Sequence, residues 1–167
     1  MSKTQLITGD TSKYVLDTLD NQGLGLDREV DLERPALPVD ITEISDEELM
    51  LLYTHFSSYS DFVNTQLACA VVDEKEAERR MDYAESERLL HHQTASPKAT
   101  VTVIKALVDG DASLASVRQE YLNKYSYRKV LETMASNCER STAVCSRELT
   151  RRTSSDNFKT RSRKFTT

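Results

Sequence analysis

Apolar residues return every three or four positions along two long stretches of the chain. In the first, Leu49, Leu52, Phe56, Tyr59, Val63, Leu67, Ala70, Ala77, Met81 and Ala84 follow one face of a helix, which predicts an α-helix running to about His92. The start of that helix carries its own signature. In Ile44-Ser45-Asp46-Glu47-Glu48-Leu49, Ser45 is placed to cap the free amides, Glu48 to reach back to the Ser45 amide, and Ile44 to close onto Leu49. Asp46 and Glu47 add negative charge where the helix dipole is positive. In the second stretch Leu114, Val117, Tyr121, Leu131, Ala135, Cys138, Thr142, Cys145 and Leu149 keep a heptad-like spacing to about Arg152, with Asp111 as the cap.

The two stretches together predict an all-α protein: a long antiparallel helical hairpin, coiled-coil-like, over residues 45–152. The first helix changes character in its middle. Up to Val72 it is broadly apolar, whereas residues 73–88 are mostly charged, so its halves are expected to meet different neighbours. In the second helix Lys124 and Arg128 fall at seam positions, where a partner such as Glu74 or Glu78 suits them. Between the helices, Ser96-Pro97 breaks the first and Asp109-Gly110-Asp111 precedes the second. Residues 99–108 read as a short helix, since no second strand exists to pair with Val101 and Val103.

Outside the hairpin the pattern fades. Residues 1–44 are acidic, interrupted by Gly23, Gly25, Pro35 and Pro38, and define no single apolar face, so they are expected to form a flexible arm. Residues 153–167 hold Lys159, Arg161, Arg163 and Lys164 among Ser and Thr, and are expected to be a disordered basic tail. Charge is polarised in the same sense: residues 1–100 carry 9 Lys and Arg against 20 Asp and Glu, and residues 101–167 carry 13 against 7.

Composition narrows the function. With 4 Gly and 3 Pro in 167 residues the chain has little of the turn chemistry of a sheet-based catalytic scaffold. It has no Gly-rich phosphate loop, no G-x-S-x-G and no H-E-x-x-H, which points away from an enzyme and from a bound cofactor. The three cysteines are odd in number and form no C-x-x-C pair, so they read as packing residues. His91 and His92 are adjacent and point to different sides of a helix, and the carboxylates of 73–78 suit a solvated face, so no metal site is expected. No apolar run of 18 residues and no signal-peptide pattern is present, which predicts a cytoplasmic protein without membrane contact.

The candidate chemistry is therefore electrostatic. Arg147 and Arg151 share a helix face, Arg140 lies one to two turns earlier, Arg152 adjoins, and the tail adds Lys159, Arg161, Arg163 and Lys164. Such a run can neutralise several phosphates with little sequence preference. Tyr125, Tyr127, Phe158 and Phe165 are candidates for stacking on unpaired bases. The competing explanation is that arginines near a helix C-terminus offset its dipole while the tail confers solubility.

Three stretches resemble the UvsY-type recombination mediators of tailed phages. They are Leu52-Tyr53 with residues 54–59, Arg80-Met81-Asp82-Tyr83, and residues 127–152; Glu78 stands where that family has a basic residue. The resemblance implies a non-catalytic homo-oligomer that binds single-stranded DNA and helps a RecA-like recombinase displace single-strand-binding protein. It also adds Arg80 to the DNA-binding candidates. The alternative reading is a phage virion structural or assembly protein that acts through helical self-association.

Overall fold

The computed structural model describes the backbone of residues 4–30 and 33–164, and the side chains of 5–28 and 33–154. The chain is all-α apart from one very short ladder. Its elements in order are β1 (Thr4–Gln5), α1 (Asp10–Asn21), β2 (Glu29–Val30), α2 (Asp46–Ala95), α3 (Val101–Asp109), a 3-10 turn (Ala112–Leu114) and α4 (Ala115–Lys164). The described residues divide into two compact units. Unit 1 draws on Met1–Leu6, Asp27–Gln66 and Glu132–Thr167, and unit 2 on Ile7–Leu26 and Leu67–Leu131. The expected change of character in the first helix corresponds to this division, which falls a few residues before Val72.

In unit 1 the beginning of α2 packs antiparallel to the later part of α4. Leu49, Phe56 and Cys145 form its buried centre, with Ile41, Ile44, Leu52, Tyr53 and Leu149 against them. The expected capping box is present: Ser45 Oγ accepts from the Glu48 amide at 3.1 Å, and Glu48 Oε2 accepts from the Ser45 amide at 2.9 Å. The Ser45 amide, then the Ser45 hydroxyl, both donating to Glu48 Oε2, hold the Glu48 carboxyl below its ordinary range. Ser45→Ala is expected to lower stability by about 1 kcal/mol, read from the midpoint of urea unfolding at constant m. The β1 and β2 residues pair antiparallel, Thr4 with Val30 and Gln5 with Glu29.

Unit 2 contains α1, α3, the second half of α2 and the first part of α4. Its helix pair is also antiparallel, but the seam is charged. Asp73 and Glu74 are buried, and they face Lys124 and Arg128 respectively. Of the two seam cations, Arg128 therefore meets the expected Glu74, while Lys124 meets Asp73 in place of Glu78. Further along, Arg80 pairs with Glu120, and Arg118 with Glu85. Thr100 caps α3 through its side chain, and Asp111 accepts from the Ser113 amide to start the turn into α4. Donation from the Ser113 hydroxyl, then from its amide, holds the Asp111 carboxyl down at about 2.

Two expectations are corrected. The acidic arm is not without structure, because residues 10–21 form α1. Its start is tied to another helix: Asp73 accepts from the amide of the N-cap residue Gly9 and from Ser12 Oγ, each at 2.7 Å. At its other end Gly23, at φ 74, takes the left-handed conformation that lets Leu24 N reach Leu19 O and Gly23 N reach Asp20 O. The second correction concerns the tail. The helix expected to stop near Arg152 continues to Lys164, since the Ser, Thr and basic residues of 153–164 include no Gly or Pro to end it. Residues 165–167 lie outside the described residues.

Candidate nucleic-acid interface

The later part of α4 has one face fixed by packing: Cys138 and Cys145 are buried and Leu149 lies against the core of unit 1. At about 100° per residue, Arg140, Arg147 and Arg151 fall within about 40° of one another, on the opposite side of the helix. All three are exposed. Arg140 and Arg147 have no ion pair among the described residues. Arg151 donates to both oxygens of Glu148, at 2.7 and 2.6 Å, and still has 61% of its side chain exposed. From residue 133 to the end the chain has eight basic residues against three acidic ones, so the later part of α4, which bears this stripe, carries a net positive charge.

The remaining candidates are placed differently. Arg152 points back into unit 1. Its Nε donates to Glu148 Oε1, its Nη1 to Ile44 O and Asp46 Oδ1, and its Nη2 to Ile41 O and Thr42 O. A guanidinium carries five N–H bonds, so no donor is left for a phosphate. Arg152 is a structural residue. Arg80 lies in unit 2, where Glu76 and Glu120 hold it; its charge is locally compensated, which removes the reason to group it with the α4 stripe. Lys159, Arg161, Arg163 and Lys164 lie on the continued helix, and their side chains are outside the described residues, as are those of Phe158 and Phe165.

The stacking candidates also separate. Tyr125 has Arg128 and Lys129 over its ring, at 5.4 and 5.8 Å from the centroid, so its π face is already in use. Tyr127 is half-buried, and burial pushes its phenol up. Two residues the sequence did not single out border a cavity in unit 1: Tyr59, which appeared only as part of the apolar stripe, and Arg34. No local pattern marks Arg34, because it reaches the cavity from a segment without a helical period.

All three cysteines are buried thiols outside any disulfide, and burial pushes the Cys138 and Cys145 thiols up, which keeps those two neutral. Among the described residues no three His, Cys, Asp or Glu side chains come together as they would around a metal ion. No helix among them is long and apolar enough to cross a membrane. The chain matches no family model, no curated protein and no solved structure.

Proposed function

We propose that this protein is a non-catalytic accessory factor that binds single-stranded DNA through the outer face of α4 and, as an oligomer, helps a recombinase to replace single-strand-binding protein. The observation that carries the DNA-binding part is the stripe of Arg140, Arg147 and Arg151, turned away from the core and continued by a helix of the same sign. Dipole compensation does not account for it. That effect is confined to the last turn of a helix, and Arg147 and Arg151 lie several turns before Lys164. Spacing of charges along one helix face suits phosphates of a flexible strand, which adapts to the protein without base-specific contacts. The recombinase and single-strand-binding protein enter through the resemblance to UvsY-type mediators.

Self-association is favoured by a separate feature of unit 1. Beside the acidic start of α2, Met50 and Leu51 are 52% and 72% exposed next to Asp46 and Glu47. Copies in contact would multiply weak phosphate contacts into useful avidity.

The test is a salt titration of binding to a labelled single-stranded oligonucleotide. Binding is expected to be tight at low salt and to weaken steeply as salt rises. Replacing Arg140, Arg147 and Arg151 together by Ala is expected to lower affinity roughly tenfold or more and to reduce the slope of log K against log salt by about 2. Absence of binding at low salt would remove the proposal, and leave helical self-association as the reading to pursue.

A further inference from the structure

A cavity of about 450 Å³ lies in unit 1, within the size range of small-ligand sites. Pro35, Leu37, Phe56 and Met134 give it apolar walls, and Arg34, Tyr59, Asn137 and Ser141 bring a guanidinium, a phenol, an amide and a hydroxyl to its lining. Among the described residues none of those four side chains has a hydrogen bond or an ion pair. Burial pushes the Tyr59 phenol up, so it stays a neutral hydrogen-bonding group, and the Cys138 thiol in the same wall is kept neutral for the same reason. The cavity thus joins an aromatic and aliphatic enclosure to several unused polar groups and one cation.

Its position on α4 indicates the occupant. Asn137 stands three residues before Arg140 and Ser141 directly after it, which places them about 60° and 100° from Arg140 around the helix. A strand whose phosphates follow the stripe therefore passes the side of α4 from which the cavity is lined. We infer that this cavity receives a single unstacked nucleobase of the bound strand. The Asn137 amide offers a donor and an acceptor to the base edge, the aromatic side chains give it an apolar surface, and Arg34 meets the adjoining phosphate. Bases in a duplex are stacked and paired and do not enter, so the site selects single strands. The inference rests on the proposed DNA binding and adds to it where a base, as distinct from a phosphate, is recognised.

The experiment compares the full-length protein's affinity for an oligo-dT with that for an abasic oligonucleotide of equal length, at low salt, for the natural chain and for Asn137→Leu and Ser141→Phe. Asn137 is exposed, so its replacement spares the core; Ser141→Phe fills the cavity. The natural chain is expected to prefer oligo-dT about tenfold. Both variants are expected to lose that preference while keeping the abasic affinity and the salt slope. Equal affinity of the natural chain for the two oligonucleotides overturns the nucleobase site and leaves phosphate binding standing. A preference that survives in both variants places base recognition elsewhere and also overturns it. Failure to bind either oligonucleotide overturns the DNA-binding reading itself.

Discussion

Asp73→Ala is expected to lower the free energy of unfolding by about 3 kcal/mol, more than a hundredfold in the folding equilibrium. Asp73 is 5% exposed and accepts from the Gly9 amide and the Ser12 hydroxyl, with Lys124 Nζ at 3.4 Å. Gly9 is the N-cap of α1, and Asp73 binds its amide and the Ser12 hydroxyl of the first turn from a distant part of the sequence. Its removal leaves the Gly9 amide without that acceptor, the buried Ser12 hydroxyl with only Gly9 O at 3.2 Å, and Lys124 without its nearest carboxylate oxygen. Gly9→Ala should act through the same contact, because a Cβ there would stand 2.7 Å from Asp73 Oδ1, an oxygen already held by Ser12. Urea unfolding of the two single variants and the double variant checks this. The double is expected to be much less unstable than the sum, and hydrogen exchange of α1 amides to quicken in all three. Strictly additive losses would show that the two residues do not act through one contact.

Much of the helical framework was legible because it is written locally. The capping box needs only Ser45, Glu48 and their neighbours, and the apolar stripe placed Leu49, Phe56, Val63, Ala70 and Ala77 inside, where all five are found. The same reasoning placed Leu114, in the turn before α4, and Leu131, Ala135, Cys138 and Cys145 within it. What escaped is long-range and polar. Helix α1 buries Ser12 and Leu16 while Tyr14 is 71% exposed, so an argument from apolar periodicity assigns it no inner face. Its partner Asp73 read as part of a solvated charged face, and only the fold buries that carboxylate against the Gly9 amide and the Ser12 hydroxyl.

The arginine cluster shows the same limit from the functional side. Arg151 and Arg152 are neighbours of one type, and sequence treats them alike. Yet adjacent residues project about 100° apart on a helix, which sends Arg151 toward the exposed stripe and Arg152 toward the loop before α2. Likewise Arg80 carries the charge the resemblance asked for, but Glu76 lies one turn before it and Glu120 comes from α4. Residue type marks the candidates; the geometry of α4 decides which arginines remain exposed.

Arg152→Ala is expected to be the more damaging of these arginine substitutions to unit 1, lowering the melting temperature by roughly 10 °C, whereas Arg147→Ala changes it by about 1 °C or less. Arg152 gathers three backbone carbonyls, of Ile41, Thr42 and Ile44, together with Asp46 and Glu148, and so fixes the segment that delivers Ile41 and Ile44 to the core. Arg152→Lys should not rescue it, since an ammonium has three donors at one point and cannot reproduce a planar fork with five. The cluster also fixes an acid dependence. Hydrogen bonds from Arg151, then from Arg152, hold the Glu148 carboxyl down at about 2, against an ordinary value of 4.5. A carboxyl whose folded value lies below its unfolded one contributes stability that is fully present above about 4.5 and is lost as pH falls toward about 2. Thermal unfolding of the natural chain and of Glu148→Gln between pH 7 and pH 2 measures this: the gap between them should be widest near neutrality and close across that acid range. A gap that stays constant to pH 2 would show that Glu148 does not stabilise unit 1 through its charge.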